Sequence, residues 1–327
     1  QGPHRGGIPL VDQAADLHQT LHGALSPAGQ QGRGGHNRIP GEQAGGGKKG
    51  KDEVSAHSVR RETASIIRSA LASTEIYLDG RWLPPQEACI PADDRGLAFS
   101  EGLFETFRVR DGRPCLLGEH LGRLESSCAF LGIPHPKTDL GAVAVEGARR
   151  HGLQDASARV TVTAGAGGDL AGPGPRPGAL IVQIRAALGA GTGSRLHIPS
   201  HRQSATSVLM RHKTLRYLER VLAVREAHST GADEAVFLND LGEVAEGTTS
   251  SIFWVKDGIL HTPSLDCNIL PGVTRTVVLR AARELGIPML EVRAGQEALE
   301  GADEAFLTSA TRGVAPKELF HAPALAI

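Results

Sequence analysis

Arg211-His212-Lys213-Thr214-Leu215-Arg216-Tyr217-Leu218 is the first of three stretches that together decide how this chain is read. Glu246-Gly247-Thr248-Thr249-Ser250-Ser251 leads into the apolar run Ile252-Phe253-Trp254-Val255. Leu270-Pro271-Gly272-Val273-Thr274-Arg275 then reads as a tight turn that opens a helix. Each stretch supplies a different chemical part. A lysine amine adds to an aldehyde, a carboxylate keeps a ring nitrogen protonated, and the free N–H groups of a helix start attract a phosphate. A lysine taken alone is far more often a solvated surface residue than a reactive one. The company of Lys213 is what gives it a role.

An aldehyde with both a ring nitrogen and a phosphate tail answers to all three parts, and pyridoxal 5'-phosphate is the common cofactor of that description. Outward from Lys213, the pattern predicts a large cofactor-binding lobe over residues 195–327. It holds a helix near 215–228, short strands from 233 to 262, a helix at 273–285, and strands at 288–293 and 304–308. Turn signals at Asn239-Asp240-Leu241-Gly242 and Asp257-Gly258 punctuate the strands. Upstream, a small α/β lobe spans 75–186. It opens on a hairpin with an Asp79-Gly80 turn, continues with a strand at 103–109 and a turn at Asp111-Gly112, and reaches a helix at 118–131. That helix carries Leu121, Leu124, Cys128 and Leu131 on one face. A helix at 138–151 and strands at 158–164 and 178–185 complete the lobe, and residues 187–194 read as a linker. The fold class is α/β (α+β) in two lobes.

Residues 1–74 differ in character. Thirteen of the 41 glycines lie in the first 50 residues and the first aromatic is Tyr77, so the stretch cannot bury enough apolar surface to offset ordering. It reads as a disordered or non-native extension. The chain starts at Gln1 with no methionine before Met210, which suggests a fragment or a translation begun upstream. Gly45-Gly46-Gly47-Lys48-Lys49-Gly50-Lys51 is close to a phosphate loop, but Asp52 stands where Ser or Thr is required and no apolar strand precedes it.

A formal net charge of −1 gives no basic excess for a nucleic acid or an acidic membrane surface. No apolar run approaches the roughly 20 residues that span a bilayer. Four cysteines without a CxxC pair read as reduced, structural thiols in a cytoplasmic protein, and no metal centre is expected.

The three stretches, with Asp94-Arg95-Gly96, Phe104-Glu105-Thr106 and Glu119-His120-Leu121-Gly122-Arg123-Leu124, resemble the fold-type IV (class IV) pyridoxal-phosphate enzymes. These include branched-chain and D-amino-acid aminotransferases and aminodeoxychorismate lyase. The resemblance runs from about Ile76 to Pro316. It implies that Lys213 forms the Schiff base and acts as the acid–base catalyst. It further implies that Arg123, Val273 and Thr274 hold the phosphate, that Glu246 faces the ring nitrogen, and that Tyr217 bonds the cofactor phenolate. A homodimer is implied as well.

Within the family, Phe99, Thr106 and stretches such as Ser251-Ile252-Phe253-Trp254 look like the lyase. That enzyme converts 4-amino-4-deoxychorismate to 4-aminobenzoate and pyruvate, a step in folate biosynthesis. Phe99, Thr106 and Arg159 are the expected substrate-binding residues. Two departures weigh the other way. Gly167-Gly168-Asp169-Leu170 lacks the arginine that lyases often carry there, leaving Arg159 as the substitute, and Ser251 stands where the family usually has Asn. The alternatives are a class IV aminotransferase acting on branched-chain or D-amino acids with 2-oxoglutarate, and a truncated, non-catalytic homologue. The last rests on the C-terminus, where a final helix is expected and looks to be missing.

Overall fold

The computed structural model describes residues 75–172, 176–187, 189 and 194–318. The expectations for residues 1–74 and for a missing C-terminal helix lie outside the described residues.

Two sheets organise the chain. The first has six strands in the order β2-β1-β6-β5-β3-β4, all pairs antiparallel. They are β1 (Ile76–Leu78), β2 (Arg81–Leu83), β3 (Gly102–Arg110), β4 (Arg113–Pro114), β5 (Asp155–Thr163) and β6 (Leu180–Ala186). The β1–β2 turn places Asp79 and Gly80 at φ 46° and 93°, the left-handed region that Asp-Gly accommodates. A single turn, α1 (Arg95–Ala98), precedes β3. Helices α2 (Leu117–Leu131) and α3 (Leu140–Arg150) cover one face of the sheet.

Period-two alternation divides these strands between two tasks. On β5, Ala156, Ala158, Val160 and Val162 are buried, packing with Phe107, Leu124, Cys128 and Leu140 under the helices. The intervening Ser157 and Arg159 therefore face the other way. Gln183 and Arg185 of β6 share that opposite face through the pairs Arg159–Gln183 and Ser157–Arg185.

The second sheet has eight strands in the order β12-β11-β10-β13-β14-β7-β8-β9. Its strands are β7 (Ser194–His197), β8 (Glu234–Leu238), β9 (Val244–Gly247), β10 (Ser251–Lys256), β11 (Ile259–Pro263), β12 (Met289–Val292), β13 (Glu304–Ser309) and β14 (Gly313–Glu318). Helix α4 (Leu218–Ser229) seats Ala223 and Ala227 against Ala235, Phe237 and Ala245. Helix α5 (Val273–Glu284) packs Val278, Leu279 and Ala282 on Phe253, Leu260 and Phe306. The short helix α6 spans Glu297–Glu300.

Three features depart from the sequence reading. Strand β7 begins at the end of the expected linker, and β14 was not foreseen because Pro316 argues against a strand. Both arise from long-range pairing, β14 running antiparallel to β13 and parallel to β7. The helix expected from 215 begins at Leu218, because the preceding residues are extended along β3. Phe104 N donates to Lys213 O at 2.9 Å, and Leu215 N donates to Gly102 O at 3.0 Å. This pairing fixes Lys213 against the first sheet. No helix among the described residues is long and apolar enough to cross a membrane.

Candidate active site

A cavity of about 450 Å³ lies where the free face of the first sheet meets the Lys213 segment, β9 and the start of α5. Eight of the nine expected site residues line it: Thr106, Arg123, Arg159, Lys213, Tyr217, Glu246, Val273 and Thr274. Phe99 does not. It ends α1 at 46% exposure, with the Arg95 guanidinium 5.0 Å from its ring centroid.

Lys213 Nζ sits 4.7 Å from the Phe104 ring centroid and has no hydrogen-bond or ion-pair partner among the described residues. Burial, followed by the positive charge of Arg123, pulls its amine down to about 7; Glu105 opposes this and Arg220 adds to it. A lysine so placed exists as a free base in roughly equal measure with its protonated form near neutral pH, and the free amine can act as a nucleophile.

Arg123 is held rigidly. Its Nε and Nη2 donate to Glu105 Oε1 and Oε2 at 2.7 and 2.8 Å, and its Nη1 donates to Pro271 O at 2.8 Å. One N–H on each of Nη1 and Nη2 is left for an anion in the cavity. Glu105 also bonds His120 Nδ1 at 2.8 Å. Burial would raise the Glu105 carboxyl, but hydrogen bonds from His120 and Arg123 and their charges bring it down to about 2. Glu105 projects from the helix-covered face of β3, so this buried anion ties the sheet to α2.

Glu246, on the fully buried strand β9, accepts from Arg220 Nη2 at 2.6 Å and from Leu270 N at 3.3 Å. Tyr217 meets the Phe104 ring edge-on with centroids 5.1 Å apart, and burial raises its phenol. Its hydroxyl has no hydrogen-bond partner among the described residues.

The α5 N-terminus completes the floor. Gly272 is the N-cap and no side chain among the described residues caps the helix, so its first N–H groups, at Val273 and Thr274, are available to an anion. A Cβ on Gly272 would meet Ser251 Oγ at 2.6 Å and Arg275 Cβ at 3.1 Å, so the turn has no room for a side chain. Ser250 and Thr308 also line this cavity, and their hydroxyls are buried without a partner among the described residues. Orphaned buried hydroxyls are uncommon and mark a place that suits a polar ligand. A phosphate beside Arg123, the α5 start and these hydroxyls, with a ring reaching Glu246 and a carbonyl near Lys213, fits this donor set.

The sequence model of the family described as Amino-transferase class IV matches residues 102–318. The chain belongs to the class IV aminotransferases. A protein of Methanocaldococcus jannaschii named "Putative branched-chain-amino-acid aminotransferase" is 38% identical over 251 residues, covering 74% of this chain and 86% of its own. The aminodeoxychorismate lyase of Bacillus subtilis is 32% identical over 249 residues, covering 74% and 85%. The T.th. branched-chain amino acid aminotransferase, solved with pyridoxamine 5'-phosphate, superposes with a TM-score of 0.68 at 30% identity, covering 75% of this chain and 85% of that one. This class IV enzyme thus shares a pyridoxal-phosphate-dependent family and its fold.

Several wall residues were not singled out from the sequence. Ser157, Gln183 and Arg185 line the cavity beside Arg159, and strand alternation places all four on one face. Arg220 lies three residues after Tyr217, on the same side of α4, a spacing that brings helical side chains together. Ser250, although inside the Glu246–Ser251 stretch, and Thr308 were not singled out, because a hydroxyl's role depends on what surrounds it.

Proposed function

We propose that this class IV enzyme is a lyase converting 4-amino-4-deoxychorismate to 4-aminobenzoate and pyruvate. The observation that carries this reading is the cationic substrate wall. Arg159 and Arg185 both face the cavity and have no hydrogen-bond or ion-pair partner among the described residues. Thr106, Ser157 and Gln183 surround them. A substrate with two carboxylates matches such a wall, whereas a branched aliphatic side chain gains little from it. Arg159 lies 3.6 Å from the Phe104 ring centroid, which holds its guanidinium in place.

Pyridoxal phosphate, when bound, supplies an electron sink for a developing carbanion. Arg123, the Val273 and Thr274 N–H groups and the Ser250 and Thr308 hydroxyls would hold its phosphate, with Glu246 at the ring nitrogen and Tyr217 at the phenolate. Lys213 would tether the cofactor and, once released by substrate, take a proton from the ring carbon that bears the amine. The chain would work as a homodimer, with Leu97 and Phe99, both exposed, as candidates to be covered by a second copy. Four free cysteines suit a reducing, cytoplasmic setting.

The test is addition of 4-amino-4-deoxychorismate to cofactor-loaded protein while 4-aminobenzoate fluorescence is followed. Product that disappears with Lys213→Ala supports the lyase. Absence of product from a loaded protein favours the second reading, an aminotransferase acting on branched-chain or D-amino acids with 2-oxoglutarate. That reading is supported by the 38% identity to the Methanocaldococcus jannaschii protein. Its own sign would be conversion of the bound cofactor to the amine form by an amino acid alone.

A further inference from the structure

Arg220 has no task in the reaction as derived so far, yet it occupies the carboxylate assigned to the cofactor ring. Its Nη2 donates to Glu246 Oε1 at 2.6 Å, and its Nη1 donates to Gly247 O and Thr248 O, each at 3.0 Å. Its guanidinium also lies 5.3 and 5.9 Å from the Tyr217 and Phe237 ring centroids. Two carbonyls and two aromatic rings therefore fix the cation independently of Glu246. The pair is poorly solvated, with side-chain exposures of 16% for Arg220 and 5% for Glu246.

The geometry points to Arg220 as a positioning residue that sets how strongly the cofactor withdraws electrons, by sharing the Glu246 carboxylate with the ring nitrogen. This rests on the proposed reading that Glu246 faces that nitrogen. Oε1 is committed to Arg220, and Oε2, which among the described residues receives only a long bond from Leu270 N, is the oxygen with capacity for a ring N–H. A carboxylate whose negative charge is shared with a fixed guanidinium in a poorly solvated site presents a weaker field and a weaker acceptor to a neighbouring ring N–H than an unshared one. The ring nitrogen then holds its proton less firmly, and the cofactor is a milder electron sink. An elimination that ends in an aromatic ring has its own driving force and needs less withdrawal than an amino-group transfer, so the arrangement is consistent with the lyase.

The experiment loads the full chain with pyridoxal phosphate carrying ¹⁵N in the ring and records its nitrogen resonance at one fixed pH in wild type, R220Q, R220K and E246Q. R220Q should move the signal toward that of an N-protonated reference compound. R220K keeps the charge but loses the two-armed grip, so it should move the signal less and in the same direction. E246Q should move it the opposite way. A signal unmoved in folded R220Q, or in R220K should R220Q not fold, overturns the role of Arg220 while E246Q still shifts. If E246Q also leaves the resonance in place, the assignment of Glu246 to the ring fails first and takes this inference with it.

Discussion

Glu105 and Lys213 show how burial acts on single residues in opposite directions. Glu105 is 1% exposed and survives as an anion because His120 and Arg123 meet both of its oxygens. Its folded value, about 2, lies below the usual 4.5. The stability it supplies is therefore fully present above about 4.5 and is lost as pH falls from there towards about 2. Glu105→Gln should cost about 3 kcal/mol at neutral pH, the scale of breaking a buried pair. Urea midpoints should show that gap closing on acidification; a pH-independent gap would mean that shape, not charge, is what matters.

Lys213 carries the opposite sign. Its amine titrates at about 7 in the folded chain against 10.5 ordinarily. Between those values the unfolded chain binds a proton that the folded one does not, so stability rises with pH across that window. Without cofactor, Lys213→Met should be more stable than wild type near neutral pH, and its advantage should shrink as pH rises towards the ordinary lysine value. Covalent capture of pyridoxal phosphate by wild type should accelerate with pH around a midpoint of about 7. The placement of Lys213 at the cavity was legible because three motifs converge on it. The Glu105–His120–Arg123 cluster was not, although all three lie in quoted motifs, because only the docking of α2 on β3 brings them together.

Elements with strong local periodicity were legible almost to the residue. Helix α2 begins one residue before its expected start and ends where expected, since its apolar face repeats cleanly. Strands β7 and β14 were not, because they pair with each other across a long stretch of intervening sequence, Ser194 opposite Lys317, and local composition argues against them. Close packing also imposes demands that no periodicity shows. Gly147 on α3 faces Trp82 and Ile184, and a Cβ there would collide with the Trp82 ring and approach Ile184 Cγ1 at 2.6 Å. Ile184 cannot withdraw freely, since it is 3% exposed in the sheet core, and the Trp82 ring is packed edge-on against Tyr77 and His151. Gly147→Ala should destabilise by about 1–3 kcal/mol, the usual cost of overpacking. Chemical denaturation should report the loss, while cofactor affinity of the folded fraction stays unchanged because the cavity lies on the other face of the sheet.

At the scale of the whole molecule, the cavity is where the two sheets are joined. Arg123 reaches from α2 on the first sheet to Pro271 ahead of α5 on the second. His212 Nδ1 bonds Ser127 Oγ at 2.9 Å, and the Lys213 backbone pairs with β3. A cofactor held by Arg123 and Lys213 on one side and by Glu246, Val273 and Thr274 on the other would bind only when both sheets are folded and docked. Binding to the native state alone adds stability by mass action, about 2.7 kcal/mol at a free concentration roughly one hundred times Kd. Pyridoxal phosphate at that excess should raise the denaturant midpoint accordingly and shift one cooperative transition as a unit. Arg123→Ala should lose most of the shift, since it would remove both the proposed phosphate donor and a bridge between the sheets. Two transitions, only one of them moved by the cofactor, would show that the sheets unfold separately and that the ligand is gripped from one side.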